Sequence, residues 1–249
     1  MDPWTAIALV AGVNFLSAFV QASTGFGYAL IAMSLMPLFL PMSNCSAISA
    51  VTVVVIGLQM SLALRRNLRF KTIWLPLLCC LITINAGLWL LSRFDELLLR
   101  VILAGLLLAV TALFVIMRRR KITLPNRWYS AVGVGLLTGL STGMFNVVGP
   151  FLMIYYMNVC DDTLHLKASL EFSFLICGLY SAAMHLFVYH NINAQVTPQL
   201  LASGVAVIAA NLFGLRLYKK INRERIARLI TLLLPLMAAM LLWNGLNAV

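Results

Sequence analysis

The chain has 249 residues, of which 62% are hydrophobic and only 10% charged, and a mean hydropathy of +0.98. An ordinary soluble domain is roughly a quarter charged, so a water-soluble fold is excluded. A membrane crossing uses about 20 apolar residues plus a turn, so this length is exhausted by roughly eight to ten crossings, with no room for a soluble catalytic or nucleotide-binding domain.

In chain order, ten apolar segments run over residues 4–22, 28–42, 45–64, 72–92, 96–117, 129–146, 148–160, 164–188, 196–217 and 226–247. The second and seventh are short for a full crossing and each follows a Gly-containing break, which predicts half-helices or re-entrant elements. The expected architecture is therefore an all-α polytopic membrane protein with about eight full transmembrane helices plus short broken ones. The amino terminus MDPWTAIALVAGV lacks the basic stretch and cleavage site of a secretory signal, so it reads as a retained first segment. Cys45, Cys79, Cys80, Cys160 and Cys177 form no CxxC pair or metal spacing and read as small packing residues.

The net charge of +11 is positional rather than a nucleic-acid signal. Fifteen of the 18 Lys and Arg fall in three short clusters: Arg65, Arg66, Arg69 and Lys71; Arg118, Arg119, Arg120, Lys121 and Arg127; Arg216, Lys219, Lys220, Arg223, Arg225 and Arg228. These follow segments three, five and nine, so an even number of crossings separates any two, and all three can face the cytoplasm under the positive-inside rule. The connection holding Arg93, Asp95, Glu96 and Arg100 is neutral, and residues 188–199 contain no Lys or Arg. Both termini are then expected on the extracytoplasmic side.

The two halves repeat. VNFLSAFVQASTGFGYALIAMSLMP corresponds to VGLLTGLSTGMFNVVGPFLMIYYMN, with Gly27 meeting Gly149; CSAISAV answers LKASLEF, and RNLRFKTIWLP answers HNINAQVTPQ. The expected units are residues 1–120 and 121–249, in one membrane domain. Five segments per unit is an odd number, so the second unit enters the membrane inverted, and the charges invert with it: the loop at Asn67 is basic while its counterpart at Asn191 is neutral. Inverted repeats of this kind characterise secondary transporters, whose substrate lies near the midplane between the halves.

The chemistry is expected where the apolar runs are interrupted, at Gln21-Ala22-Ser23-Thr24-Gly25-Phe26-Gly27-Tyr28 and at residues 141–150, which end in Asn146-Val147-Val148-Gly149-Pro150. Glycine admits backbone conformations closed to other residues, and proline suits the first turn of a helix. Each break therefore reads as the start of a half-helix, whose free N–H groups and positive dipole end can hold an anion without a buried cation. Gln21, Ser23, Thr24, Gly25, Phe26, Gly27, Asn146, Gly149 and Pro150 are the candidate substrate-binding residues, with Ser23, Thr24 and Asn146 as side-chain donors. The alternative for these glycines is close helix packing.

These strings also resemble the sulfite exporter TauE/SafE family, also called the 4-toluene sulfonate uptake permease family, over nearly the whole chain. Thr24, Gly25, Phe26, Gly27 and Pro37 match the TGFG motif, with its following apolar run and proline, of one branch of the family. The second motif commonly reads GGP, whereas Val148-Gly149-Pro150 lacks the first glycine, and Lys167 stands where an arginine often opens the next helix. The resemblance implies a carrier in the bacterial cytoplasmic (inner) membrane for small anions such as sulfite, sulfoacetate or other sulfonates.

Among the remaining polar residues, Lys167 and Glu171 lie four apart and share a helix face. They are candidates for an ion pair or gate at the cytoplasmic mouth, for substrate or proton coupling, or for a solvated helix end; an ionisable residue at membrane depth is a functional candidate by default. His185 reads as a packed or interfacial histidine rather than a proton relay. Asn14, Gln21 and Gln59 either satisfy broken backbone or line the pathway, and Trp4, Trp74, Trp128 and Trp243 anchor segment ends at the interface. The reading is a secondary carrier and not an enzyme, with an anion channel as the alternative and an integral-membrane enzyme the weaker one. Its expected partners are a small anionic substrate and the lipid bilayer, with proton or ion coupling and a homodimer left open. No nucleic acid, metal or cofactor is called for.

Overall fold

The computed structural model describes residues 2–120, 123–217 and 223–247. Lys121, the first residue of the expected second half, and Lys219 and Lys220 of the third basic cluster lie outside the described residues. Among the described residues ten α-helices follow one another: α1 (Pro3–Thr24), α2 (Tyr28–Leu35), α3 (Met42–Leu64), α4 (Phe70–Arg93), α5 (Glu96–Arg119), α6 (Trp128–Phe145), α7 (Gly149–Val159), α8 (Thr163–Phe187), α9 (Thr197–Leu217) and α10 (Arg223–Asn247). There is one helix for each apolar segment, and among the described residues there is no strand.

The ends are where local chemistry puts them. Pro3 opens α1, and Pro150 opens α7, where a missing N–H is no loss. Asp95 caps α5 by accepting the Leu98 N–H at 2.7 Å, and Asp162 caps α8 by accepting the His165 N–H at 2.7 Å. That bond holds the exposed Asp162 carboxyl below its ordinary range.

Length sorts the helices. Six of them, α1, α3, α4, α5, α8 and α9, contain stretches long and apolar enough to cross a membrane. α6 has 18 residues but carries Ser, Thr and Gly along its length, and the apolar part of α10 runs over Thr231–Gly245. α2, with eight residues, is about 12 Å long, and α7, with eleven, about 16 Å, against a hydrocarbon core of about 30 Å. α2 doubles back along α1: Asn14 of α1 receives the Tyr28 hydroxyl from the start of α2 and donates to the Met36 sulfur (3.6 Å) just past its end.

The dominant packing pairs are α4 with α6, α1 with α9, α3 with α8 and α5 with α10. Exchanging α1–α5 with α6–α10 in order maps the α4–α6 pair onto α9–α1 and returns α3–α8 and α5–α10 to themselves. The α4–α6 contact is backbone on backbone: a Cβ on Gly139 would stand 2.2 Å from the Cys80 carbonyl oxygen, and one on Gly143 2.2 Å from that of Ile84. Small residues at this spacing let helices approach closely in a membrane. Trp4, Trp74, Trp128 and Trp243 lie exposed near helix ends. Arg69, before α4, pairs with Asp161, before α8, so the α3–α4 and α7–α8 connections share one side of the bundle. All five cysteines are free thiols.

Candidate functional site

The first break is narrower than the polar string that announces it. α1 continues through Thr24, and the chain leaves helical geometry only at Gly25 (φ 90°) and Gly27 (φ 106°), both left-handed, where a side chain is strained. The hydroxyls of Ser23 and Thr24 turn back onto their own helix, donating to the carbonyls of Phe19 and Val20, each at 2.8 Å. These two candidate donors are therefore committed to backbone. Phe26 packs its ring on Phe114 of α5, with centroids 5.3 Å apart.

The second break is also shorter than expected. Residues 141–145 are helical, and Gly143 serves the α4 contact rather than the break. The turn itself is Asn146-Val147-Val148, with Asn146 left-handed at φ 54° and its N–H donating to the Thr142 carbonyl at 2.8 Å. Asparagine tolerates this conformation better than most residues, so it does here what glycine does in the first break. Ser141 Oγ donates to the Val147 carbonyl at 2.7 Å and fastens the turn to α6.

The two breaks close on one cavity. Gln21, Gly27, Ala29 and Leu30 contribute from the first, Asn146, Val147, Val148, Gly149 and Pro150 from the second, and Val53 of α3 and Phe174 of α8 complete it. Its free volume of about 20 Å³ admits roughly one water. The first turns of α2 and α7 border this space, and first-turn N–H groups have no acceptor within their own helix. Of the nine candidate residues, Gln21, Gly27, Asn146, Gly149 and Pro150 line the cavity. Ser23, Thr24, Gly25 and Phe26 shape the turn behind it, Phe26 lying 3.5 Å from where a Gly149 Cβ would stand.

Lys167 and Glu171 of α8 both reach the last turn of α1. Lys167 Nζ donates to the Ala22 carbonyl at 3.5 Å, and its Cε lies 4.0 Å from a Cβ built on Gly25. A cation there complements the negative end of the α1 dipole. Glu171, fully buried, accepts from Gln21 Nε2 at 3.4 Å through Oε2, while its Oε1 has no hydrogen-bond partner among the described residues. Gln21 thus stands between a buried carboxyl group and the cavity.

Ser46 and His185 were not among the candidate site residues, and they abut the second break. Asn146 Nδ2 donates to the Ser46 carbonyl at 2.8 Å, and Ser46 Oγ lies 3.2 Å from His185 Nε2. One signal for Ser46 was present: in the internal repeat it is the counterpart of Lys167. The other apolar-segment amides knit helices together. Asn14 donates to Ser203 Oγ at 3.1 Å and Asn211 to Gln59 Oε1 at 2.7 Å, both contacts fastening α9.

A family model described as sulfite exporter TauE/SafE matches residues 10–241. Comparisons with curated proteins and with solved structures give no match.

Proposed function

The chain belongs to the sulfite exporter TauE/SafE family, and on that premise we propose that it is a secondary carrier binding its anion between the two helix breaks. The observation that carries this reading is the shared cavity: residues 125 or so apart in sequence, at matching places of the two halves, line one space. Sulfite and sulfonate oxygens are acceptors, and the first turns of α2 and α7 offer N–H groups and two positive dipole ends. Lys167 adds positive charge behind Gly25. The packing exchange between α1–α5 and α6–α10 supports two inverted units, 1–120 and 121–249, that rock about this centre. A cavity of one-water size is too narrow to serve as a standing pore.

In this reading the basic ends at Arg65–Lys71 and Arg118–Arg127 face the cytoplasm and both termini the opposite side. Glu171 carries a coupling proton, and Gln21, which donates to its Oε2 from the cavity wall, holds that carboxyl beside the cavity. The test is uptake by reconstituted vesicles of a labelled panel of sulfite, sulfoacetate, other sulfonates and carboxylates. Saturable uptake of sulfite or a sulfonate, lost in Gly149→Leu, is expected; uptake of carboxylates alone would overturn the substrate class.

A further inference from the structure

A second polar space lies away from the cavity, on the side of the bundle opposite Arg69 and Asp161. It measures about 300 Å³ and is lined by Ser43 at the start of α3, Ser92 and Glu96 at the α4–α5 connection, and Tyr189 and Asn191 after α8. That is within the range of small-molecule sites.

One hydrogen-bonded column joins this vestibule to the central cavity. Asn191 Nδ2 donates to His185 Nδ1 at 2.9 Å, which leaves the ring proton on Nε2, facing Ser46 Oγ at 3.2 Å. The Ser46 carbonyl in turn accepts from Asn146 Nδ2 at 2.8 Å, and Asn146 lines the cavity. Ser46, His185 and Asn146 are all buried within 1% of completely. The Asn191 N–H also holds the His185 carbonyl at 2.9 Å, so the vestibule wall is tied to the end of α8 twice. Polar groups at membrane depth are costly unless satisfied. A continuous line of them from a cavity to an open vestibule marks where a polar solute can pass while the bonds it breaks are replaced by its own.

We propose that the vestibule is the mouth of the substrate route on this side, that the Asn146–Ser46–His185–Asn191 column is its closed gate, and that His185 is the positioning residue of that gate. An anion entering the cavity competes for the Asn146 amide. Once that donor turns to the substrate, Ser46 is released and the column opens. Binding energy is thus spent on the open state, as any ligand-driven shift requires. The inference rests on the cavity being the substrate site.

The test reads access rather than transport. Ser43→Cys in the vestibule and Val148→Cys in the cavity wall are labelled with a membrane-impermeant methanethiosulfonate, applied from whichever face labels Ser43→Cys. Modification is followed by peptide mass spectrometry, with the five native cysteines as internal reference. Ser43→Cys is expected to label fast and Val148→Cys slowly. Adding His185→Ala is expected to speed Val148→Cys labelling by roughly tenfold, the shift from losing about one net hydrogen bond. His185→Gln, which can still bridge both partners, is expected to keep it slow. Asn191→Ala breaks the column at its vestibule end and is expected to act in the same direction should His185→Ala fail to fold. Val148→Cys labelling that is unchanged by both His185→Ala and Asn191→Ala, in folded protein, overturns the gate. A failure of sulfite transport with the labelling pattern intact would instead count against the anion assignment alone.

Discussion

The two helix breaks occupy equivalent places, yet they are built differently. The first uses two left-handed glycines, Gly25 and Gly27, and is backed by charged residues, Lys167 and Glu171. The second uses one left-handed asparagine, Asn146, and is backed by the neutral Ser46 and His185. Lys167 and Ser46 are counterparts in the repeat, each four residues into the long helix that follows a short one and each against a break. The backbone of a break needs only a left-handed turn and a following helix start, which several residue types provide. What lies behind it decides the electrostatics, and there the two breaks differ: one side of the cavity carries ionisable groups and the other a neutral hydrogen-bonded column.

The sharpest way to break this comparison is substitution of the glycines. Gly25→Leu and Gly149→Leu are both expected to abolish uptake while leaving membrane insertion intact, and normal uptake by both would refute a site at the breaks. The alanine versions then separate strain from space. Gly25→Ala forces a side chain into φ 90°, a cost of about 1–2 kcal/mol, and is expected to reduce uptake strongly. Gly149→Ala meets only ordinary contacts at 3.5 Å and is expected to be mild.

The charge difference comes next. Lys167→Gln keeps a donor for the Ala22 carbonyl but removes the cation, and the KM for the anion is expected to rise severalfold, the loss of a positive charge beside the site rather than of a direct contact. Ser46→Ala keeps the carbonyl that Asn146 uses, so its KM is expected to change less. Equal effects at the two positions would erase the asymmetry. Glu171→Gln is expected to flatten the pH dependence of uptake while homoexchange continues; unchanged pH dependence removes Glu171 from coupling.

Packing variants act on stability rather than transport. Gly139→Ala pushes a methyl into the Cys80 carbonyl and Thr83 hydroxyl and is expected to lower stability by about 1–3 kcal/mol, an overpacking cost, read by thermal unfolding in detergent. The smallest effect is at the α8 cap. Because the folded-state Asp162 carboxyl titrates below its ordinary range, its contribution is present above that range and fades as pH falls through the folded value. Asp162→Ala is expected to show a slightly lower melting temperature at neutral pH, and the difference from the parent should vanish in acid.

The ten helices were legible because unbroken apolar runs between Pro, Gly and charged punctuation leave a chain in lipid no option but helix. Segment 96–117 was expected and Glu96–Arg119 is found; 164–188 was expected and Thr163–Phe187 is found. The break positions were legible from Gly27, Gly149 and Pro150. Side-chain roles within them were not: Ser23 and Thr24 looked like free donors, but a hydroxyl near a helix end finds its own i−4 carbonyl before any ligand. Gly143 looked like part of the break and instead serves the α4 contact. The Ser46–His185 contact joins residues 139 apart, and no local pattern carries such a pairing; only the repeat pointed at Ser46.

The central claim, one anion site shared by two breaks in a carrier, is tested most directly by counterflow. Vesicles containing the purified protein are loaded with unlabelled sulfite or sulfonate and diluted into trace labelled anion, with Gly149→Leu in parallel. The account predicts that internal anion accelerates labelled uptake and drives a transient accumulation, absent in Gly149→Leu. Labelled flux that is indifferent to internal anion would contradict it and favour a channel through the same breaks.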